Sequence, residues 1–558
     1  MSDLKILENM RSKLVSLVEP LLNRQTDEGY FQQPDPEAPR AFDYQAIYPF
    51  CYLYKTKFKG NIYFKEERLL KSILKLGDYF SKNTNSNGLI YYYSFGNSGF
   101  TIDQRLLVFW LDAYELMKND LDKKDKENWV ATMKRSLVYL EKKIESYLPQ
   151  EVFNSYSFNT SPNHASLYAC ALYNGGVVFK NNYWKSLAEN FMDRFVAFQS
   201  AEGYWPEGHG PVGQYCSTTL AGVARMNRLY KKEKYNSALF KAFQYFYKIS
   251  YPDFSFVELT DKRNLYHKFS LTWGFHGLSN TPEGRTFALK AIEANLNTTK
   301  EFTGEGFARL LENYVYMKRG AVKTYKNWNG KQFLGNHSVF IRKNSWQINY
   351  SVNPVVVHPH SSFRLDYGKV YSVWHKSVGL LVDGSQGKNN DNHNTFYTDK
   401  GEKLDVLFGG QLNTNTKDPS VIALYASGAK LEVKTKFVSA SEILLSGEQN
   451  HPTKNVKGLR FNVPLRLQLN DEIIVGKKKI LLSAKKISLK VKSGSVIKIF
   501  NQKVHLKLHC DGVLHFPELP FNPYSSDNKS SIDHAFLRLE LIPQGNPLKA
   551  AIGIKVAE

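Results

Sequence analysis

Thr160-Ser-Pro-Asn-His-Ala-Ser places an amide and an imidazole where a helix is expected to begin. Ser161 suits an N-cap and Pro162 the first helical position, so Asn163 and His164 fall in the first turn. The positive end of a helix disfavours an imidazolium, which would keep His164 neutral and able to accept a proton, while the Asn163 amide can donate to a carboxylate. The plainer alternative is that Asn163 completes the cap and His164 packs under a loop. A second segment, Glu202-Gly-Tyr-Trp-Pro-Glu-Gly-His-Gly-Pro-Val-Gly-Gln-Tyr, is dense in Gly, aromatic and titratable residues and leads into a helix expected to begin at Pro211. Tyr215 would lie early in that helix, where the dipole favours a phenolate, with Glu207 and His209 beside it. A structural Gly/Pro turn with a buried Tyr is the competing account. Tyr215 follows His164 by 51 residues.

A third segment, Gly379-Leu-Leu-Val-Asp-Gly-Ser-Gln-Gly, is followed by Asn392-His-Asn-Thr-Phe. With Asn163, His164 and Tyr215 at their spacing, Asp383, Gly384, His393, Asn394 and Thr395 give the chain a pattern that resembles the toroidal polysaccharide lyases, the alginate-lyase and heparinase II/III-like groups. That family carries an HxHxD-like element before the Asp turn. Here the stretch reads Ser362-Phe-Arg-Leu-Asp366, preceded by Val357-His-Pro-His360, so the usual histidines are displaced or replaced.

The resemblance implies β-elimination across uronic-acid linkages, which needs a group to neutralise the C6 carboxylate, a base for the C5 proton and an acid for the O4 leaving group. It implies Asn163 as carboxylate ligand, His164 as base or positioning group, and Tyr215 as acid, either alone or as base too, with His360 or Arg364 closing the cleft. Arg105, Trp205, Glu207 and His209 are the expected substrate-binding side chains. No cofactor is required for the elimination, and Asp383 and His393 are the expected ligands of a structural divalent metal, zinc or calcium. A glycoside hydrolase on the same scaffold would instead use carboxylates about 5–10 Å apart, drawn from Asp43, Asp103 or Glu207, though no spacing singles out a pair. A third possibility is a noncatalytic polyanion-binding protein.

These side chains need elements to hold them. Up to about residue 319, apolar residues recur at helical spacing over 4–22, 67–81, 101–117, 124–147, 164–172, 184–199, 212–230, 237–249, 286–296 and 304–318. About a dozen antiparallel helices without a heptad seam predict hairpins arranged as an α/α toroid. From Lys326 the period changes to two, as in His337-Ser-Val-Phe-Ile-Arg, Trp346-Gln-Ile-Asn-Tyr-Ser-Val and Leu431-Glu-Val-Lys-Thr-Lys-Phe. The expected class is therefore α+β and multidomain: a toroid over 1–325, then an antiparallel β-sandwich over 326–558, with the boundary near 321–328.

At 558 residues, with 42% hydrophobic and 14% aromatic residues, the chain is folded and globular. Its net charge of +22 favours a polyanionic partner, here an acidic polysaccharide or oligosaccharide. No helix-turn-helix, RNP or zinc-finger pattern points to nucleic acid, and no stretch approaches 18 apolar residues, so no membrane is expected. Lys477, Lys478, Lys479, Lys485, Lys486, Lys490, Lys492 and Lys498 alternate with apolar residues and read as solvated strand faces. Cys51, Cys170, Cys216 and Cys510 are widely spaced and read as buried thiols. The charged, amphipathic start carries no apolar signal region, which predicts a cytoplasmic chain; one whose signal had been removed would look the same and be periplasmic or secreted.

Overall fold

The computed structural model describes residues 3–32, 40–94, 97–149, 161–207, 211–260, 272–296, 303–320, 323, 327–352, 368–385, 393–399, 404, 407–415, 417–425, 427–449, 456, 458–520 and 530–557. They fall into two compact units, with helices in the N-terminal part of the chain and sheets in the C-terminal part. The first comprises Met1–Gly208, Gly213–Tyr247 and Phe269–Tyr325; the second comprises His209–Val212, Lys248–Lys268 and Lys326–Glu558.

The helices are α1 (Asp3–Ser16), α2 (Val18–Leu22), α3 (Ile47–Lys55), α4 (Glu67–Lys82), α5 (Gln104–Met117), α6 (Lys123–Tyr147), α7 (Pro162–Val178), α8 (Asn182–Ala197), α9 (Gly213–Tyr230), α10 (Glu233–Ile249), α11 (Pro282–Asn295) and α12 (Gly304–Tyr316). Several begin on a polar cap: the side chains of Asp122, Asn181, Thr281 and Thr303 accept from backbone N–H groups of α6, α8, α11 and α12. Within this unit α3 packs on α5, α5 on α7, α7 on α9, α9 on the 3-10 turn Phe275–Asn280 and that turn on α12, which returns to α3. A two-stranded hairpin, Ile90–Ser94 with Asn97–Thr101, precedes α5, so the helix expected from residue 101 begins at Gln104. No helix among the described residues is long and apolar enough to cross a membrane.

Among the described residues, the second unit holds a nine-stranded and a ten-stranded sheet whose strand pairs are all antiparallel. Side chains of both, among them Ile348, Val373 and Phe461 from one and Val433, Ile443 and Ile554 from the other, share one apolar core. Period-two patterning predicts one solvated face per sheet, yet Trp346–Ser351 and Tyr371–His375 are buried on both faces. The polar face is covered by 250–258: Arg342 reaches the Ser250 carbonyl, Asn349 Nδ2 donates to Tyr251 Oη (2.8 Å), and Tyr251 Oη lies 3.0 Å from Ser372 Oγ. All four cysteines are buried, and none forms a disulfide.

Candidate active site

The sequence signal at α7 is realised in the backbone. Ser161 takes the extended N-cap conformation (φ −93°, ψ 157°) and Pro162 occupies the first helical position, where its missing N–H costs nothing. The Ser161 hydroxyl does not cap a backbone N–H; it bonds the side-chain oxygen of Asn163, which also accepts from the His164 N–H (3.0 Å). Oδ1 of Asn163 is thus engaged at the helix end, and Nδ2 is its donor atom. Asn163 is 6% exposed, whereas His164 is exposed. Nδ1 of His164 lies 2.9 Å from Nε2 of Gln104, the first residue of α5. That residue is in turn fixed by Asp103, whose carboxylate caps α5 by accepting from the Arg105 and Leu106 N–H groups, both at 3.0 Å.

Tyr215 is the third residue of α9 and half-buried; the helix begins at Gly213, two residues after Pro211. Helix α9 packs closely on α7, because a Cβ at Gly222 would stand 2.7 Å from the side chain of Ser166. The three helices run in one direction. Gln104 meets His164 near their starts, while further along Asp112 accepts from Asn174 Nδ2 (3.1 Å) and from Arg225 Nη1 (2.7 Å). The first turns carrying Gln104, Asn163, His164 and Tyr215 therefore lie at the same end of the bundle.

The remaining expected residues divide. Arg105 is half-buried at the start of α5, its Nη1 3.5 Å from Glu305, a carboxylate that Arg309 shares at 2.5 Å. Glu207 is buried. Trp205 departs from the expectation: it is 1% exposed and its indole N–H donates to the Phe195 carbonyl (2.8 Å), so the ring serves the core and offers no face to a sugar. His209, His360 and Arg364 lie outside the described residues. Two carboxylates of the hydrolase alternative have structural duties. Asp43 accepts from Arg24 Nη1 (3.0 Å) and the Gly304 N–H (2.6 Å), and Asp103 is the α5 cap, its carboxyl raised by burial.

No family model and no curated protein matches the sequence. Among solved structures, a Paenibacillus xanthan lyase superposes with a TM-score of 0.57 at 11% identity, over 99% of this chain and 57% of that one. A chondroitin AC lyase of Streptomyces coelicolor A3, in complex with chondroitin sulphate, gives 0.59 at 10% identity, over 100% and 79%. A heparinase III gives 0.57 at 13%, over 94% and 79%. The chain has the polysaccharide-lyase fold.

In the β unit of this lyase fold, the expected metal ligands are each held by a side chain. Asp383 accepts from Arg466 Nη1 (2.8 Å) and from the Ser385 N–H (2.7 Å). His393 Nε2 lies 3.0 Å from Glu518, and burial pushes its ring below the ordinary imidazole range. Burial alone would raise Glu518, but His393 and Arg538 bring it down to about 2. Among the described residues no three His, Cys, Asp or Glu side chains come together to hold a metal, and a guanidinium on Asp383 opposes a second cation. These described residues do not fit a structural divalent ion. The lyase fold also contains two polar features that sequence reasoning missed. Gln104 gives no signal beyond following a capping Asp. Glu258, 1% exposed, accepts from Tyr251 Oη (2.9 Å) and the Gly384 N–H (2.8 Å), and it lies in a segment too short for periodicity to read.

Proposed function

We propose that this chain is a polysaccharide lyase that cleaves uronic-acid-containing acidic glycans by β-elimination, and that its helical unit is an α/α toroid. The observation that carries the reading is the gathering of Asn163, His164 and Tyr215 in the first turns of two adjacent, parallel helices. Three solved lyases with this fold support it, as does the net charge of +22, which draws a polyanion toward the protein.

In the proposed reaction the Asn163 amide donates to the C6 carboxylate and stabilises the charge that develops as C5 loses its proton. A base at the helix starts, the neutral His164 ring or the Tyr215 phenolate, takes the C5 proton; the C5–H electron pair becomes the C4=C5 double bond, the C4–O4 bond breaks, and O4 takes a proton from the Tyr215 phenol. His164 lies beside Asn163 at the same carboxylate. Asp43 and Asp103, occupied in caps and ion pairs, do not form the separated acid and base that hydrolysis needs.

The test is ultraviolet absorbance of the protein incubated with a panel of uronate polysaccharides and oligosaccharides, since elimination leaves a conjugated unsaturated uronate at the new end. A rise with one substrate is expected. Tyr215→Phe should lower kcat by at least about 10³-fold with KM little changed, because it removes a proton-transfer group and not a binding contact. Release of saturated reducing ends with no absorbance would overturn the lyase and favour the hydrolase.

A further inference from the structure

We propose that the solvent face of the nine-stranded sheet is a second, noncatalytic binding site, a lysine-flanked strip that holds an acidic glycan chain. The choice of a glycan as occupant rests on the lyase reading above, whereas the strip itself stands on the strand register of the β unit alone.

Five lysines define the strip. Lys434 and Lys436 belong to the strand Lys430–Phe437, Lys498 to Val496–Ile499, Lys507 to Val504–Leu508 and Lys555 to Lys549–Val556. They alternate with side chains turned into the core, among them Val433, Ile497, Leu506 and Ile554, so all five stand on the opposite face. Strand pairing then lines them up. Lys498 faces His505, which faces Lys555; in the next row Lys507 faces Gly553, which faces Leu444, which faces Lys436. A Cβ at Gly553 would stand 3.8 Å from Cβ of Lys507 and 3.6 Å from Nε2 of His509, so these two border a floor that carries no side chain. Leu444 continues that floor and offers apolar surface to the C–H face of a sugar ring.

Lysines on sheets commonly guard edges, and Lys478 and Lys479 do so on the strand Lys478–Leu481, which ends this sheet. The five have no edge to guard, because each of their strands is paired on both sides. Among the described residues none of the five has an ion-pair partner. The acids of the same face stand toward its ends: Glu472 pairs with Lys479 (2.5 Å), Glu448 pairs with Lys549 (3.3 Å) and lies across from Glu432, and Glu442 lies across from Lys555. Like charges gathered on neighbouring strands repel, a cost that a bound polyanion offsets. Lys498 and Lys555 are two strands apart, about 10 Å, close to the length of a disaccharide. A chain with one acid per disaccharide, laid across the strands over Gly553 and Leu444, therefore meets one ammonium per repeat. Duplex nucleic acid carries its charges far more densely than that.

The test is affinity electrophoresis of the full chain in gels containing chondroitin sulphate, heparan sulphate or alginate, with Tyr215→Phe added to prevent cleavage. Lys498→Gln, Lys507→Gln and Lys555→Gln together should weaken binding to at least one of these glycans by about 10-fold or more, and lower the slope of log affinity against log salt by about two to three. Removing as many charges at and beside the sheet edges, by Lys478→Gln, Lys485→Gln and Lys490→Gln, should weaken it by less than about 3-fold. Equal losses in the two triple variants would overturn the proposal, since net charge alone would then account for the binding. So would the absence of salt-sensitive binding to all three glycans. A duplex DNA oligonucleotide or phosphatidylserine vesicles held more tightly than every glycan, and released by the first triple variant, would overturn the glycan as occupant. With Tyr215 intact, that variant should raise KM on the polymer and leave it unchanged on short oligosaccharides. A chain that binds as expected but cleaves nothing would overturn the lyase reading and leave the second site standing.

Discussion

Both units bury charge, and the group that each holds neutral is of the opposite kind. In the helical unit Arg225, 1% exposed, joins Asp112 and Glu312, while Glu312 also accepts from the Trp273 indole (2.6 Å). Arg228 lies over the Tyr316 ring and His276 packs beside it, so the buried His276 imidazole sits among cations. Burial and then the two arginines push His276 down to about 3. In the β unit the neutral group is an acid. Glu258 faces Asp383, Arg466 is the cation on that second carboxylate, and burial followed by Asp383 pushes Glu258 up to about 7. Each unit holds its odd titratable group neutral by desolvation reinforced by like charge.

The sharpest way to break this comparison is to remove the cations. Arg225→Met leaves two carboxylates buried without their partner and should destabilise the helical unit by about 3–5 kcal/mol. Arg466→Met deprives one carboxylate, in a pair that can hold a proton, and should cost the β unit only about 1–3 kcal/mol. Hydrogen exchange resolved to peptides reads the two units separately. Equal losses would show that the number of acids sharing a guanidinium does not govern its contribution.

The pH responses should be smaller and of opposite sign. As pH falls below the ordinary histidine value of 6.5, the unfolded chain binds a proton that folded His276 refuses, so the helical unit loses stability down to about 3. As pH rises past the ordinary glutamate value of 4.5, the unfolded chain releases a proton that folded Glu258 keeps, so the β unit loses stability up to about 7. His276→Gln should flatten the acid slope in helical peptides, and Glu258→Gln the opposite slope in β peptides. The second variant keeps both contacts, because an amide can accept from the Gly384 N–H and donate to Tyr251. Unchanged slopes in both variants would move the pH dependence to other groups.

How much of this was legible in the sequence depended on whether a residue's role repeats along the chain. Helices expected over 67–81, 124–147 and 212–230 form over Glu67–Lys82, Lys123–Tyr147 and Gly213–Tyr230, because apolar stripes and caps recur locally. Helix Ile47–Lys55 was not legible: it is apolar and aromatic throughout, with Pro49 in its first turn, so no period stands out. Asn163 and His164 could be placed because Ser-Pro marks a helix start. Arg225 and Gln104 could not, since a lone Arg on an amphipathic helix reads as solvated and a Gln after a cap reads as nothing in particular. Their roles depend on partners 113 and 60 residues away. Trp205 misled because an aromatic in a Gly-rich loop looks like a sugar platform until its N–H is seen to meet a backbone carbonyl.

The contrast between the units should vanish where no charge is involved, and each offers a matched probe. Trp205 in the helical unit and Trp346 in the β unit are both 1% exposed, and each donates its indole N–H to a backbone carbonyl, Phe195 at 2.8 Å and Ala440 at 2.9 Å. Replacement by Phe removes one neutral hydrogen bond and a few buried atoms in either place, which should cost about 1–2 kcal/mol each with no dependence on pH. Trp205→Phe should also leave KM unchanged on any substrate the protein cleaves, since the ring is enclosed by its own unit. A several-fold rise in KM would return Trp205 to the binding site. A much larger loss at one tryptophan than at the other would mean that packing density, and not buried charge alone, separates the two regions.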